Sequence, residues 1–104
     1  MLSSLLAMAM VMQADTTRAA RETFTRCLNQ FVESSVTARK TQEQFNTEFP
    51  QACAAEQTAF REAVIRRDMA MRSTRASATD SANLEVEDAR VNFSERFEMA
   101  VTPR

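Results

Sequence analysis

Residues 27–53 read CLNQFVESSVTARKTQEQFNTEFPQAC, and this stretch decides the fold. Its two ends, Cys27 and Cys53, are the only cysteines of the 104-residue chain. Their midpoint is Lys40. Before it, Ala20, Phe24, Cys27, Leu28, Phe31 and Ser35 recur at steps of three and four, which is one face of a helix. Apolar character is lost at Thr37–Thr41 (TARKT). Thr41 and Gln44 then form a capping-box pattern, in which a hydroxyl and a side-chain amide satisfy the unpaired amides of a new helix. That helix carries Phe45, Phe49, Ala52, Cys53, Phe60 and Val64 on one face. Pro50 marks a break within it or its true start, because proline is accepted only in a first helical turn.

An antiparallel hairpin turning at Arg39–Thr41 brings the two sulfurs level. The same register sets Phe31 opposite Phe49 and Ala20 opposite Phe60. A disulfide requires Cα atoms within about 7 Å, whereas packed helices sit about 8–10 Å apart. Ala52, Ala54 and Ala55 beside Cys53 are expected to permit the closer approach. A Cys27–Cys53 disulfide is the expectation, and the alternative is two buried thiols behaving as small hydrophobes.

Beyond Val64, the positions Ile65, Met69 and Arg72 diverge from the Phe stripe and predict a small exposed apolar patch. Ser73–Asp80 (STRASATD) reads as a bend, with Ser77, Thr79 or Asp80 as helix caps. Ala82, Val86, Ala89, Phe93, Phe97 and Ala100 then form a third helical stripe, and Pro103 ends it. Residues 61–75 hold five arginines against two acids, a net of +3. Residues 80–98 hold six acids against two arginines, a net of −4. A fold-back near residue 76 would face one segment with the other, placing Arg72 near Asp80 and Arg66 and Arg67 near Glu85 and Glu87. The expected fold is all-α: a disulfide-linked antiparallel helical hairpin extended to a three-helix bundle. The alternative is a hairpin with one long continuous second helix from Gln51 to Met99.

Composition excludes several function classes. The chain has no glycine and no histidine. Phosphate loops and dinucleotide fingerprints need glycine. Imidazole bases, histidine-dependent triads and histidine metal ligands are ruled out directly. Carboxylate pairs such as Glu85 with Asp88 read as a solvated acidic face, so no metal, cofactor or enzyme activity is expected. The net charge of −1 argues against a nucleic-acid binder.

Leu2–Met12 (LSSLLAMAMVM) is uncharged and mostly apolar. It is too short to span a membrane, which takes about 20 residues, and it fits the apolar region of a signal peptide cleaved after Ala14. Residues 1–14 are therefore read as a signal peptide and 15–104 as a single helical domain, with no transmembrane segment after the leader. The expected location is periplasmic or secreted, in a bacterial envelope. The expected function is non-enzymatic binding of another protein, as adaptor, inhibitor or chaperone-like factor, with self-association into a homo-oligomer left open. Two alternatives stand beside it. One is a membrane-surface or anionic-ligand binder using the Arg61–Arg75 segment, with Arg66, Arg67 and Arg75 as contacts. The other is a cytosolic helical protein with a redox-responsive cysteine pair.

Overall fold

A computed structural model of the chain describes residues 2–103, with the side chains of residues 2–11 and 13 outside the described set. Four α-helices follow in order: α1 (Leu2–Thr37), α2 (Gln42–Glu48), α3 (Ala54–Ala70) and α4 (Arg75–Val101). A 3-10 turn, Phe49–Gln51, joins α2 to α3. The three long helices pack pairwise into an antiparallel bundle measuring 60 × 24 × 22 Å. The single long helix from Gln51 to Met99 does not form, because the chain reverses between Ala70 and Arg75.

Both reversals use one device. At the end of α1, the Arg39 amide donates to the Val36 carbonyl and the Lys40 amide to the Ser35 carbonyl. At the end of α3, the Arg72 amide donates to Met69 and the Ser73 amide to Asp68. These are paired Schellman bonds, which satisfy the last carbonyls of a helix when the next residue turns left-handed. Arg39 (φ 54°) and Arg72 (φ 72°) take that conformation. Glycine usually fills such a position because it has no Cβ to clash, and this chain has none. Two residues after each arginine a threonine caps the next helix. Thr41 accepts from the Gln44 amide at 3.1 Å, while the Gln44 side chain accepts from the Thr41 amide at 2.9 Å. Thr74 accepts from the Ser77 amide at 3.1 Å.

The second reversal therefore precedes residue 76, and Ser77, Thr79 and Asp80 lie inside α4 rather than capping it. The small residues of this stretch serve packing: Ala78 and Ala82 are fully buried. Arg72 lies in the turn and forms no ion pair with Asp80 among the described residues.

The disulfide Cys27–Cys53 is formed, with Cα atoms 6.0 Å apart. Its close approach has a different cause from the expected alanines, since Ala54 and Ala55 are exposed. Cys53 itself leaves helical geometry at φ 61° and precedes the first turn of α3. Pro50 sits in the first turn of the 3-10 segment, as its missing amide requires. The break also resets the register. Phe31 faces Phe49 at 6.0 Å between ring centroids, as the hairpin predicts. Phe60, however, stacks on Phe24 at 5.7 Å, one helical turn from Ala20.

The core is a column of phenylalanines. Phe24, Phe45, Phe60 and Phe97 are fully buried, with Leu28 and Val64 between them. Phe45 and Phe97 stack face to face at 4.0 Å. Each buried Phe contributes about 1.5–3 kcal/mol by removal from water. Ile65, expected on an exposed patch, is 3% exposed and belongs to this core. At the third stripe's end, Ala100 is exposed.

Candidate functional surfaces

Polar side chains between the helices divide into those that fasten the bundle and those that face outward. Arg90 is the principal fastener. It lies on α4 between Val86 and Phe93, within the buried stripe. Its Nη1 donates to the Phe49 carbonyl at 2.9 Å and its Nη2 to the Ala52 carbonyl at 2.7 Å. Its Nε donates to the Gln57 side chain. The guanidinium also lies 5.3 Å from the Phe49 ring and 5.6 Å from the Phe24 ring. A planar five-donor fork suits this task, because the 3-10 turn leaves carbonyls at its end without helical partners. Burial pushes the Arg90 guanidinium below its ordinary range. Nothing in the sequence reading marked Arg90. The available signal was a cation standing inside an otherwise apolar stripe.

A second network joins all three long helices. Glu85 on α4 accepts from Arg21 of α1 at 2.7 Å and from Arg67 of α3 at 2.9 Å. Arg67 also meets Asp68 at 3.0 Å, and Asp68 is nearly buried. Burial acts to lower the Arg67 guanidinium, but hydrogen bonds to Asp68 and Glu85 outweigh it and hold the group above its ordinary range. The expected meeting of the basic and acidic segments thus occurs through Arg67 and Glu85. Arg61 contributes by donating to Asn83 at 2.8 Å.

Of the three arginines expected to face an anionic partner, Arg67 is engaged inside the bundle. Arg66 and Arg75 are exposed and form no ion pair among the described residues. They flank the α3–α4 turn with Arg72, which is also exposed. Met69 and Met71 stand among them, 42% and 55% exposed. Met69 keeps its expected exposure, and Met71 replaces Ile65 as its neighbour.

A different surface runs along the outside of α4. Leu84 is 61% exposed and Val91 49%. They are seven residues apart, so they share a helix face. Asp80, Glu87, Asp88 and Glu95 around them are exposed as well. The surface hollows are open grooves, one of which is lined by Arg26, Asn29, Asn92 and Arg96 between α1 and α4. Among the described residues, no group of His, Cys, Asp and Glu side chains is placed to hold a metal ion. No described helix is long and apolar enough to cross a membrane. No protein-family model, no curated protein and no solved structure matches this chain.

Proposed function

We propose that this chain is an exported, non-enzymatic helical protein of the cell envelope that binds another protein along the outer face of α4. The observation that carries the reading is the exposed pair Leu84 and Val91, set among acids on a face that neither α1 nor α3 covers. Apolar anchors seven residues apart within a charged rim suit a partner helix with apolar residues flanked by basic ones. The face is long: α4 has 27 residues, or about 40 Å at about 1.5 Å per residue.

Two features support export. A disulfide persists in oxidising compartments and is rare in the cytosol. Signal-peptide cleavage after Ala14 would also spare the described core, whose first buried side chain is Thr17. Thr17 would keep its hydroxyl bond to the Ala63 carbonyl, 3.3 Å away.

The test begins with the intact mass of the protein from its native host, alkylated without reductant. A chain starting at Asp15, two hydrogens light and unalkylated, is expected. A full-length chain with two alkylated thiols would overturn export and leave the cytosolic redox reading in its place. Photo-crosslinkers at Leu84 and Val91 should then yield one stoichiometric partner adduct, lost in L84E/V91E. Equal adducts from an unrelated exposed position such as Asn46 would overturn the α4 surface.

A further inference from the structure

Beyond binding a protein along α4, we propose that the α3–α4 end of the bundle docks on an anionic phospholipid surface, with Arg66, Arg72 and Arg75 at the headgroups and Met69 and Met71 entering between them. All five side chains are exposed and lie within ten residues of chain, at one end of the rod. The neighbouring charges are already neutralised. Arg67 and Asp68 belong to the Glu85 network, so the three remaining arginines set the charge of the tip. Asp15 and Asp80 are exposed acids set back by about five residues, or about 7 Å, along α1 and α4. Glu87 and the acids after it lie about 18 Å or more from Arg75, beyond a Debye length of about 8–10 Å. A chain of net charge −1 thus presents one positive end.

The dimensions favour a membrane over a protein partner for this end. A tip 24 by 22 Å across offers about 500 Å², short of the roughly 800 Å² per partner of a stable protein interface. A lipid surface requires no matching footprint. It rewards cations that reach phosphates and flexible apolar side chains that enter between headgroups. Methionine is unbranched and adapts to irregular surroundings. The direction of α1 agrees. Thr17 lies against Ala63, and both helices rise about 1.5 Å per residue, so residues before about residue 10 pass beyond Ala70 at this same end. The uncharged run Leu2–Met12 therefore leaves the bundle beside the arginine tip, which faces the bilayer while a leader is attached.

The test is vesicle flotation of the chain as isolated from its host. One set of vesicles mixes phosphatidylglycerol with phosphatidylcholine, and the other is phosphatidylcholine alone. Binding is expected only to the anionic vesicles, falling steeply with salt. At about 1 kcal/mol per basic residue near such a surface, R66Q/R72Q/R75Q should lower the partition coefficient about 100-fold. M69S/M71S should lower it about tenfold by removing the apolar contribution. R26Q/R39Q/R96Q removes the same charge from exposed positions elsewhere and should bind like the parent. Equal loss in the two arginine triples would overturn the proposal by showing a diffuse charge effect. So would equal binding to neutral vesicles, no binding to anionic ones, or displacement from them by an acidic peptide at equal charge concentration. Circular dichroism of each variant confirms that the helices persist. None of these outcomes bears on the α4 surface, which L84E/V91E tests separately.

Discussion

Replacing Arg90 by methionine keeps most of the side-chain stem and deletes the charged fork. Three hydrogen bonds disappear, and the carbonyls of Phe49 and Ala52 lose their donors. Buried bonds from a charged donor contribute about 1.5–3 kcal/mol each. Arg90 is only half-buried and water reaches the 3-10 turn, so the lower end applies, about 4–5 kcal/mol for the three. Relief of the guanidinium's own desolvation returns about 1–2 kcal/mol, leaving a net loss of about 3 kcal/mol. A domain of this size has only about 5–15 kcal/mol in total. At about 4–8 °C per kcal/mol, the melting temperature should fall by roughly 12–24 °C. Thermal and urea unfolding followed by circular dichroism measure it. Arg90→Lys should recover less than half, because a single ammonium cannot span both carbonyls and Gln57. Arg96→Met removes an exposed arginine from the same helix and should move the midpoint by no more than a few degrees. If R90M and R96M melt together, the fork does not fasten the 3-10 turn and the assignment fails.

Removing the disulfide in C27A/C53A should cost about 3.5 kcal/mol, from the entropy of a loop spanning 26 residues, and an unchanged midpoint in reductant would contradict this. Ser35 is fully buried and its hydroxyl has no hydrogen-bond partner, so S35A should stabilise the protein by about 1 kcal/mol; a lower melting temperature would show that the hydroxyl is satisfied. Glu85→Gln weakens ion pairs that are one-quarter to one-half exposed, so it should cost only about 1 kcal/mol, with a smaller effect at high salt. Arg39→Gly relieves a left-handed Cβ clash and should gain about 0.5–1 kcal/mol in urea unfolding, while a loss there would mean the arginine side chain holds the turn.

The first hairpin was legible because independent signals converge on it. Thr41 and Gln44 can cap a helix in only one direction, and the cysteines must end level across the turn. Both constraints are local and stereochemical, and both are met. The second reversal was legible in kind but misplaced. Thr74, Ser77, Thr79 and Asp80 all have the chemistry of a cap, and a run of small polar residues resembles a bend. What selects Thr74 is the left-handed conformation of Arg72, and no side-chain preference announces it. Ala78 and Ala82 are small because helices approach there, a demand of tertiary packing. Ile65 was assigned outward from α3 alone, although α4 covers it in the bundle. Arg67 and Arg66 differ in the same way. Adjacent on α3, they point to different surroundings, and only the position of Glu85 separates a bundle fastener from an exposed cation. Leu84 and Val91 escaped notice because attention fell on the stripe facing the core, while the opposite face of the same helix carries the exposed pair.

The two arginine turns make the molecule respond unequally to being cut. Both Arg39 and Arg72 are exposed, so trypsin can reach either reversal. A nick after Arg39 falls between the bridged cysteines, and the halves stay covalently joined until reductant is added. A nick after Arg72 falls outside that loop, and nothing covalent then retains α4. One end of the rod can therefore survive a protease in the envelope, while a single cleavage at the other sheds the helix that carries Glu85, Arg90, Leu84 and Val91.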